Sequence, residues 1–125
     1  PSYGLTDNEV ESMLKDSMKY ASDDMAARQL REQQVEADRV IEAIASALAS
    51  DGEKLLSAED LAMIDNSVSH LQAVRAQSDK FTEIKTAIEQ LEKASERYVE
   101  MRMNESVMQV MEGHSINEFS EIGKN

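Results

Sequence analysis

The stretch FTEIKTAIEQLEKASERY, residues 81–98, decides the fold class. Its apolar residues recur every three or four positions and would line one face of an α-helix: Phe81, Ile84, Ile88, Leu91, Ala94 and Tyr98. The spacing continues through Met101, Met108 and Met111 to Gly113, where we expect the helix to end. Because about 30 residues is long for one bundle helix, we expect a kink or break within residues 95–104.

Two further helices precede this one. The nearer is predicted to begin at Ser57 and to end at the polar turn 77–79, with one apolar face: Leu61, Ile64, Val68, Leu71 and Val74. The earlier one would end at about Ser50 and be roughly 40 Å long. The residues expected on its inner apolar face are Leu30, Ala37, Ile41, Ile44, Ala45 and Leu48. We expect Asp51-Gly52 to stop it in a left-handed conformation. No run alternates as a strand would, so the sequence predicts an all-α, antiparallel helical bundle.

The N-terminal segment predicts a helix with no partner in this bundle. Thr6 and Glu9 form a capping-box pattern, so a helix should start at about Asp7. Its apolar stripe is Val10, Met13, Leu14 and Met18. Because Ser22-Asp23-Asp24 offers a new N-cap, we expect a bend or short break there. The predicted division is therefore a docking helix at 1–22, a bundle at 23–113 and a flexible tail at 114–125, with the first helix protruding.

Composition excludes several kinds of partner. A net charge of −12 argues against binding to nucleic acid, and it opposes a membrane-surface role, since both need lysine and arginine. No apolar run is long enough to span a bilayer. The chain has no cysteine, so it offers no thiolate for a disulfide, a zinc ion or an iron–sulfur cluster. Since Pro1 stands where an initiator methionine would, we expect a fragment of a longer protein.

No catalytic or metal-binding constellation is visible. Neither His70 nor His114 has a glutamate three residues before it, so the ligand pair of a di-iron bundle is absent and His70 is expected on a helix surface. The glycines are too far apart for a phosphate-binding loop. We predict no catalytic residue and no metal. Of the eight methionines, those at helical spacing in the bundle are expected to fill a core, whereas Met13 and Met18 are exceptions because the bundle does not cover the first helix. The alternative is a free-standing adaptor that binds partner helices through a methionine-rich face.

The chain resembles a known family along nearly its whole length. The segments that carry the resemblance are YGLTD at 3–7, MLKDS at 13–17, Tyr20-Ala21, Asp24, Ala27-Arg28, VEA at 35–37, Arg39-Val40, Arg102-Met103, Ser106-Val107 and GHS at 113–115. These segments are similar to the C-terminal helical lid of the DnaK-type heat-shock chaperones, and most similar to the HscA-type branch devoted to iron–sulfur cluster assembly.

The resemblance implies a partner for the first helix. In this family an ATPase domain and a β-sandwich with a peptide cleft precede the lid, whose first helix packs on the sandwich and whose second lies across the cleft. Val10, Met13, Leu14 and Met18 would then be the sandwich-docking face. The chain itself would have no enzymatic activity and no cofactor, because ATP would bind and be hydrolysed in the upstream domain. Without the sandwich, we expect the isolated chain to self-associate through this stripe.

The resemblance also implies site residues and partners. Asp24 and Asp38 fall where the family places acids that pair with the cleft rim and latch the lid, whereas Glu42 stands where general members often have histidine. The implied partners are a J-domain co-chaperone and an iron–sulfur scaffold protein that presents a Leu-Pro-Pro-Val-Lys segment to the cleft. The implied compartment is the bacterial cytoplasm.

Overall fold

The computed structural model describes residues 4–113, and this part of the chain forms helices joined by short turns. Helix α1 spans Asp7–Ala47 and continues into a π-helical turn, Leu48–Gly52. A single turn, α2, spans Glu53–Leu55. Helices α3 and α4 span Ala58–Gln77 and Phe81–Gly113. Both pack against the C-terminal half of α1 and against each other, which confirms the predicted all-α bundle.

The helix starts are set by local capping. The Thr6 hydroxyl accepts a hydrogen bond from the Glu9 amide at 3.1 Å, and the Ser57 hydroxyl accepts one from the Asp60 amide at 3.2 Å. Each bond satisfies an amide that has no partner inside its own helix. Both predicted starts are therefore confirmed.

The core lies where α3, α4 and residues 37–47 of α1 meet. Its largest fully buried side chains are Tyr98, Ile64, Leu71, Ile84 and Leu91. The sequence pattern missed four core positions, namely Val40, Ala47, Ala87 and Ser95, and it wrongly included Ala45, which is exposed. Ser95 is tolerated because its buried hydroxyl has a partner: it donates to the Leu91 carbonyl at 2.8 Å.

The predicted break near Ser22 is wrong, because α1 is continuous through residues 22–24. All three side chains are exposed, so nothing packed against them requires the chain to turn. Asp24 instead pairs with Arg28 one turn later, an arrangement that supports a helix interior. Of the kink or break expected within residues 95–104, the break does not occur, since α4 is also continuous.

The predicted left-handed stop at Asp51-Gly52 is also wrong. Gly52 has right-handed dihedrals, φ −57° and ψ −46°, and the helical path ends only at Leu56. Gly52 is buried, and a Cβ atom there would lie 3.2 Å from the Leu48 side chain and 3.4 Å from Leu61. The glycine therefore serves close packing between the π-helical turn and α3, and its left-handed freedom is not used.

The last turns of α4 extend past the core. Met101 is half-buried, but Met108 and Met111, which the pattern placed inside, are exposed. They are uncovered because α3 is 20 residues long and α4 is 33, so α3 cannot cover the whole of α4. The flexible tail predicted at 114–125 lies outside the described residues.

Candidate functional site

The first half of α1 carries an apolar stripe that the bundle does not cover. Every side chain from Glu11 to Arg28 is exposed. Leu14 keeps 60% and Met18 73% of its accessible surface, while Met13 is similarly open and Val10 is half-buried. Large apolar side chains in a contiguous exposed row mark an interaction surface. We call Val10, Met13, Leu14 and Met18 the docking stripe.

The docking stripe and the core face lie on opposite sides of α1. Ala37, Val40 and Ile41 contribute to the core, and they follow Val10, Met13 and Leu14 by the same interval. That interval of 27 residues is about seven and a half helical turns, which rotates a side chain by about half a circle. One continuous helix therefore presents apolar residues to the bundle on one side and leaves the docking stripe uncovered by the described residues on the other.

Asp24, the first latch candidate, lies on the open part of α1. It follows Val10 by 14 residues, about four turns, so it stays near the docking stripe. Its carboxylate accepts a hydrogen bond from Arg28 Nη2 at 2.7 Å within the same helix, and both side chains are largely exposed. The pair joins no second element, so it leaves Asp24 on the surface that faces away from the bundle.

Asp38, the second candidate, forms an ion pair with another helix of the bundle. Arg75 of α3 donates to both of its carboxylate oxygens, from Nε to Oδ1 at 3.0 Å and from Nη2 to Oδ2 at 3.2 Å. This hydrogen bond and the carboxylate charge raise the pKa of Arg75. The sequence pattern gave no indication of Arg75, because a contact across 37 residues leaves no local spacing signal.

A polar cluster joins the π-helical turn to α4. The Asp51 carboxylate accepts hydrogen bonds from the Tyr98 hydroxyl and from Arg102 Nε, the latter at 2.8 Å, and the Arg102 guanidinium lies over the Tyr98 ring. Burial raises the pKa of Asp51, but the two hydrogen bonds and the nearby cations outweigh it and hold that pKa below its usual value. Burial and the bond to Asp51 raise the pKa of Tyr98 to about 12.

This cluster was missed by the sequence interpretation, which assigned Tyr98 to the apolar face and Asp51 to a helix stop. The sequence offered one signal of this cluster, the tyrosine itself, because a buried tyrosine hydroxyl needs a polar partner. The cluster fixes the end of α1 against α4 and lies at the end of the bundle distant from the docking stripe. Its role is structural support for the bundle half of α1.

An open groove runs along α4 beyond this cluster. It has a volume of about 570 Å³ and lies between the end of α1 and the second half of α4, where Val99, Met103 and Val107 form much of its wall. Because Val99, Met103 and Val107 are all exposed, the groove presents an apolar surface that includes a methionine. It is the feature that keeps the adaptor alternative open.

The described residues give no sign of a metal centre. Within residues 4–113, no group of three or more metal-ligating side chains converges. His70 is exposed on α3, as expected, and His114 lies outside the described residues. None of the helices in the described part of the chain combines the length and the apolar character that crossing a membrane requires.

Comparison with known proteins relates this sequence to one family. The sequence profile of the Hsp70 protein family matches residues 1–104, most of the chain. The chain belongs to the Hsp70 family. A protein named chaperone protein HscA homolog, from Azoarcus sp. (strain BH72), is 50% identical over 119 residues, which are 95% of this chain and 19% of that protein. Chaperone protein HscA of Shigella boydii serotype 18 and that of Escherichia coli O7:K1 are each 48% identical over 118 residues.

This Hsp70 chain spans about a fifth of the length of the curated relatives it matches. Its relatives are HscA chaperones, in agreement with the resemblance drawn from the sequence. The roles of Asp24, Asp38 and the docking stripe remain predictions. The structure gives them positions: the stripe and Asp24 lie on the open half of α1, and Asp38 lies at the start of the half that α3 and α4 cover.

Proposed function

We propose that this chain is the helical lid of an HscA-type Hsp70 chaperone and that it gates peptide exchange in a neighbouring substrate-binding cleft. The observation that carries the proposal is the pair of opposite apolar faces on the single helix α1. The buried face holds the bundle, and the docking stripe is left for a β-sandwich domain that precedes the lid. Because one rigid helix would join the two, docking of its first half on the β-sandwich would set the position of the bundle.

The gating role is kinetic. A lid held over the cleft slows the release of bound peptide, and an opened lid speeds both entry and exit. The open part of α1, from Asp7 to Arg28, is about 33 Å long at 1.5 Å per residue, enough to cross the surface of a small domain. Asp24 and Asp38 would latch the closed lid through ion pairs with the cleft rim. Exposed pairs of this kind are weak, which suits a gate that must open.

The remaining parts of the proposal concern the complete protein. ATP would bind and be hydrolysed in an upstream ATPase domain, and a J-domain co-chaperone would stimulate that hydrolysis. The client would be an iron–sulfur scaffold protein whose Leu-Pro-Pro-Val-Lys segment enters the cleft, in the bacterial cytoplasm. Since this chain has no cysteine, it would act on the scaffold and not as a ligand of the cluster.

The test uses the complete chaperone with a labelled Leu-Pro-Pro-Val-Lys peptide. The double variant Leu14→Glu with Met18→Glu places two charges on the docking stripe, so the lid should undock and peptide dissociation without ATP should accelerate, on the order of tenfold. Ser12→Glu is the matched control, because Ser12 is exposed on the other side of the same turns. Unchanged dissociation in the double variant would rule out docking through this stripe.

The adaptor is the second candidate, and the groove along α4 is the observation that favours it. Val107→Asp charges the wall of that groove and does not touch the docking stripe. If the chain is a lid, this variant should leave peptide dissociation unchanged in the complete chaperone. If the stripe variant has no effect while Val107→Asp abolishes binding of a partner helix, the adaptor is the better description.

A further inference from the structure

Asp38 has a position on α1 from which it can face either of two neighbours. It follows Ala37, a core residue, by one position, so its side chain points about 100° away from the core face. The docking face is half a circle from the core face, so Asp38 lies on the flank between them. From this flank a carboxylate can reach α3 on one side or a domain docked against α1 on the other.

In the bundle, Asp38 is already engaged. Arg75 donates one hydrogen bond to each carboxylate oxygen, at 3.0 and 3.2 Å. Arginine favours this two-bond arrangement with carboxylates. The Asp38 side chain nevertheless keeps 57% of its accessible surface, so it is free to exchange partners. A second cation brought to the same carboxylate would lie beside the Arg75 guanidinium, and the two positive charges would repel each other.

Asp24 provides a contrast within the same helix. Its partner, Arg28, is one turn away on α1 itself and moves with it. The Asp38–Arg75 pair instead connects α1 with α3 across 37 residues. Within residues 4–113, Asp38 is therefore the one latch candidate with a partner on another helix.

We propose that Arg75 is the competing partner of the Asp38 latch: it holds Asp38 while the lid is open and releases it when the lid closes on the β-sandwich. This inference rests on the proposed lid function and adds a residue that regulates it. In this role Arg75 acts only by occupying Asp38, so it is a positioning residue that favours the open lid. Its removal should strengthen the latch.

The experiment measures peptide dissociation from the complete chaperone in the absence of ATP. Asp38→Asn removes the latch carboxylate and should speed dissociation, whereas Arg75→Gln frees that carboxylate and should slow dissociation. Each effect should be about two- to fivefold, the range of one exposed ion pair. The double variant should behave like Asp38→Asn alone, because Arg75 acts only through Asp38. A merely structural role for Arg75 would not slow dissociation, since loss of a bundle contact would loosen the lid.

Lys54→Gln is the matched control. Lys54 pairs with Glu105 at 3.1 Å between helices, with exposure similar to that of the Asp38–Arg75 pair, but far from the docking face. It should leave dissociation unchanged.

If Asp38→Asn speeds dissociation while Arg75→Gln leaves it unchanged or speeds it, the competition is wrong and the latch stands. If Asp38→Asn has no effect, the latch itself fails, and the competition fails with it. A double variant slower than Asp38→Asn would also overturn the proposal, because Arg75 would then act through another group.

Discussion

The two halves of α1 have the same helical geometry and opposite environments. From Gln29 onward the helix is progressively covered by α3 and α4, and Ala37, Val40, Ile44 and Ala47 enter the core. From Glu11 to Arg28 no side chain is covered, although this half carries apolar residues at the same spacing. The difference teaches that a helical apolar stripe indicates that burial is needed, but not where the covering partner lies. In one half the partner lies within the described residues, and in the other the described residues supply none.

A pair of alanine substitutions should give the largest contrast between the halves. Ile44 keeps 9% of its accessible surface and Leu14 keeps 60%. Ile44→Ala should lower the free energy of unfolding by about 2 to 4 kcal/mol, because it removes buried methyl groups and leaves a cavity. Leu14→Ala should change it by less than about 0.5 kcal/mol, as is usual for exposed sites. Urea denaturation of the isolated chain at low concentration measures both values, and equal losses would contradict the division of α1.

Two tyrosines allow a smaller and more specific comparison. Tyr98 is 1% exposed and donates to Asp51, whereas Tyr20 is 76% exposed on the open half of α1. Tyr98→Phe should cost about 1.5 to 3 kcal/mol, the usual range for losing one hydrogen bond to a charged group. Asp51 keeps its bond from Arg102, so no buried charge is left without a partner. Tyr20→Phe is the control and should be neutral in the same denaturation experiment. A neutral Tyr98→Phe would show that the cluster does not hold the bundle together.

The stability of the folded chain should depend on pH in the alkaline range because of the Tyr98 phenol. The pKa of Tyr98 is raised to about 12 in the folded chain, whereas an unfolded tyrosine has a pKa of about 10. A raised folded-state pKa means that the stabilisation is complete below about pH 10 and is lost as the pH rises through about 12. The urea midpoint should therefore fall more steeply from pH 9 to pH 11.5 in the unsubstituted chain than in Tyr98→Phe. Parallel profiles for the two proteins would show that this phenol has no raised pKa.

Much of the fold could be predicted from local spacing. The starts at Thr6 and Ser57 follow from single side chains that bond an amide three residues away, and the α3 and α4 faces follow from a period of 3.6. The errors arose where local signals were ambiguous. Ser22-Asp23-Asp24 could cap a new helix or sit exposed inside a long one, and Gly52 could end a helix or allow a close contact. Only the neighbours, or their absence, distinguish those cases.

The candidate site was predicted in part. The docking stripe was visible because its residues recur on one helical face, and the structure shows that Met13, Leu14 and Met18 are exposed and Val10 is half-buried. Asp24 and Asp38 came only from resemblance to a family, since an exposed acid on a helix has no distinctive local pattern. Arg75 was not visible by either route.

The sequence by itself determined which segments are helical, where α1 and α3 begin and which apolar stripe lacks a partner, because these properties depend on residues within about one turn of each other. The tertiary structure alone decided that α1 continues through Asp24 and that Gly52 packs in a right-handed turn. It also decided that Arg75 holds Asp38 and that Tyr98 and Arg102 hold Asp51. Those pairs join residues 37, 47 and 51 positions apart. Such contacts form only when packed helices bring distant side chains together, and no local periodicity encodes them.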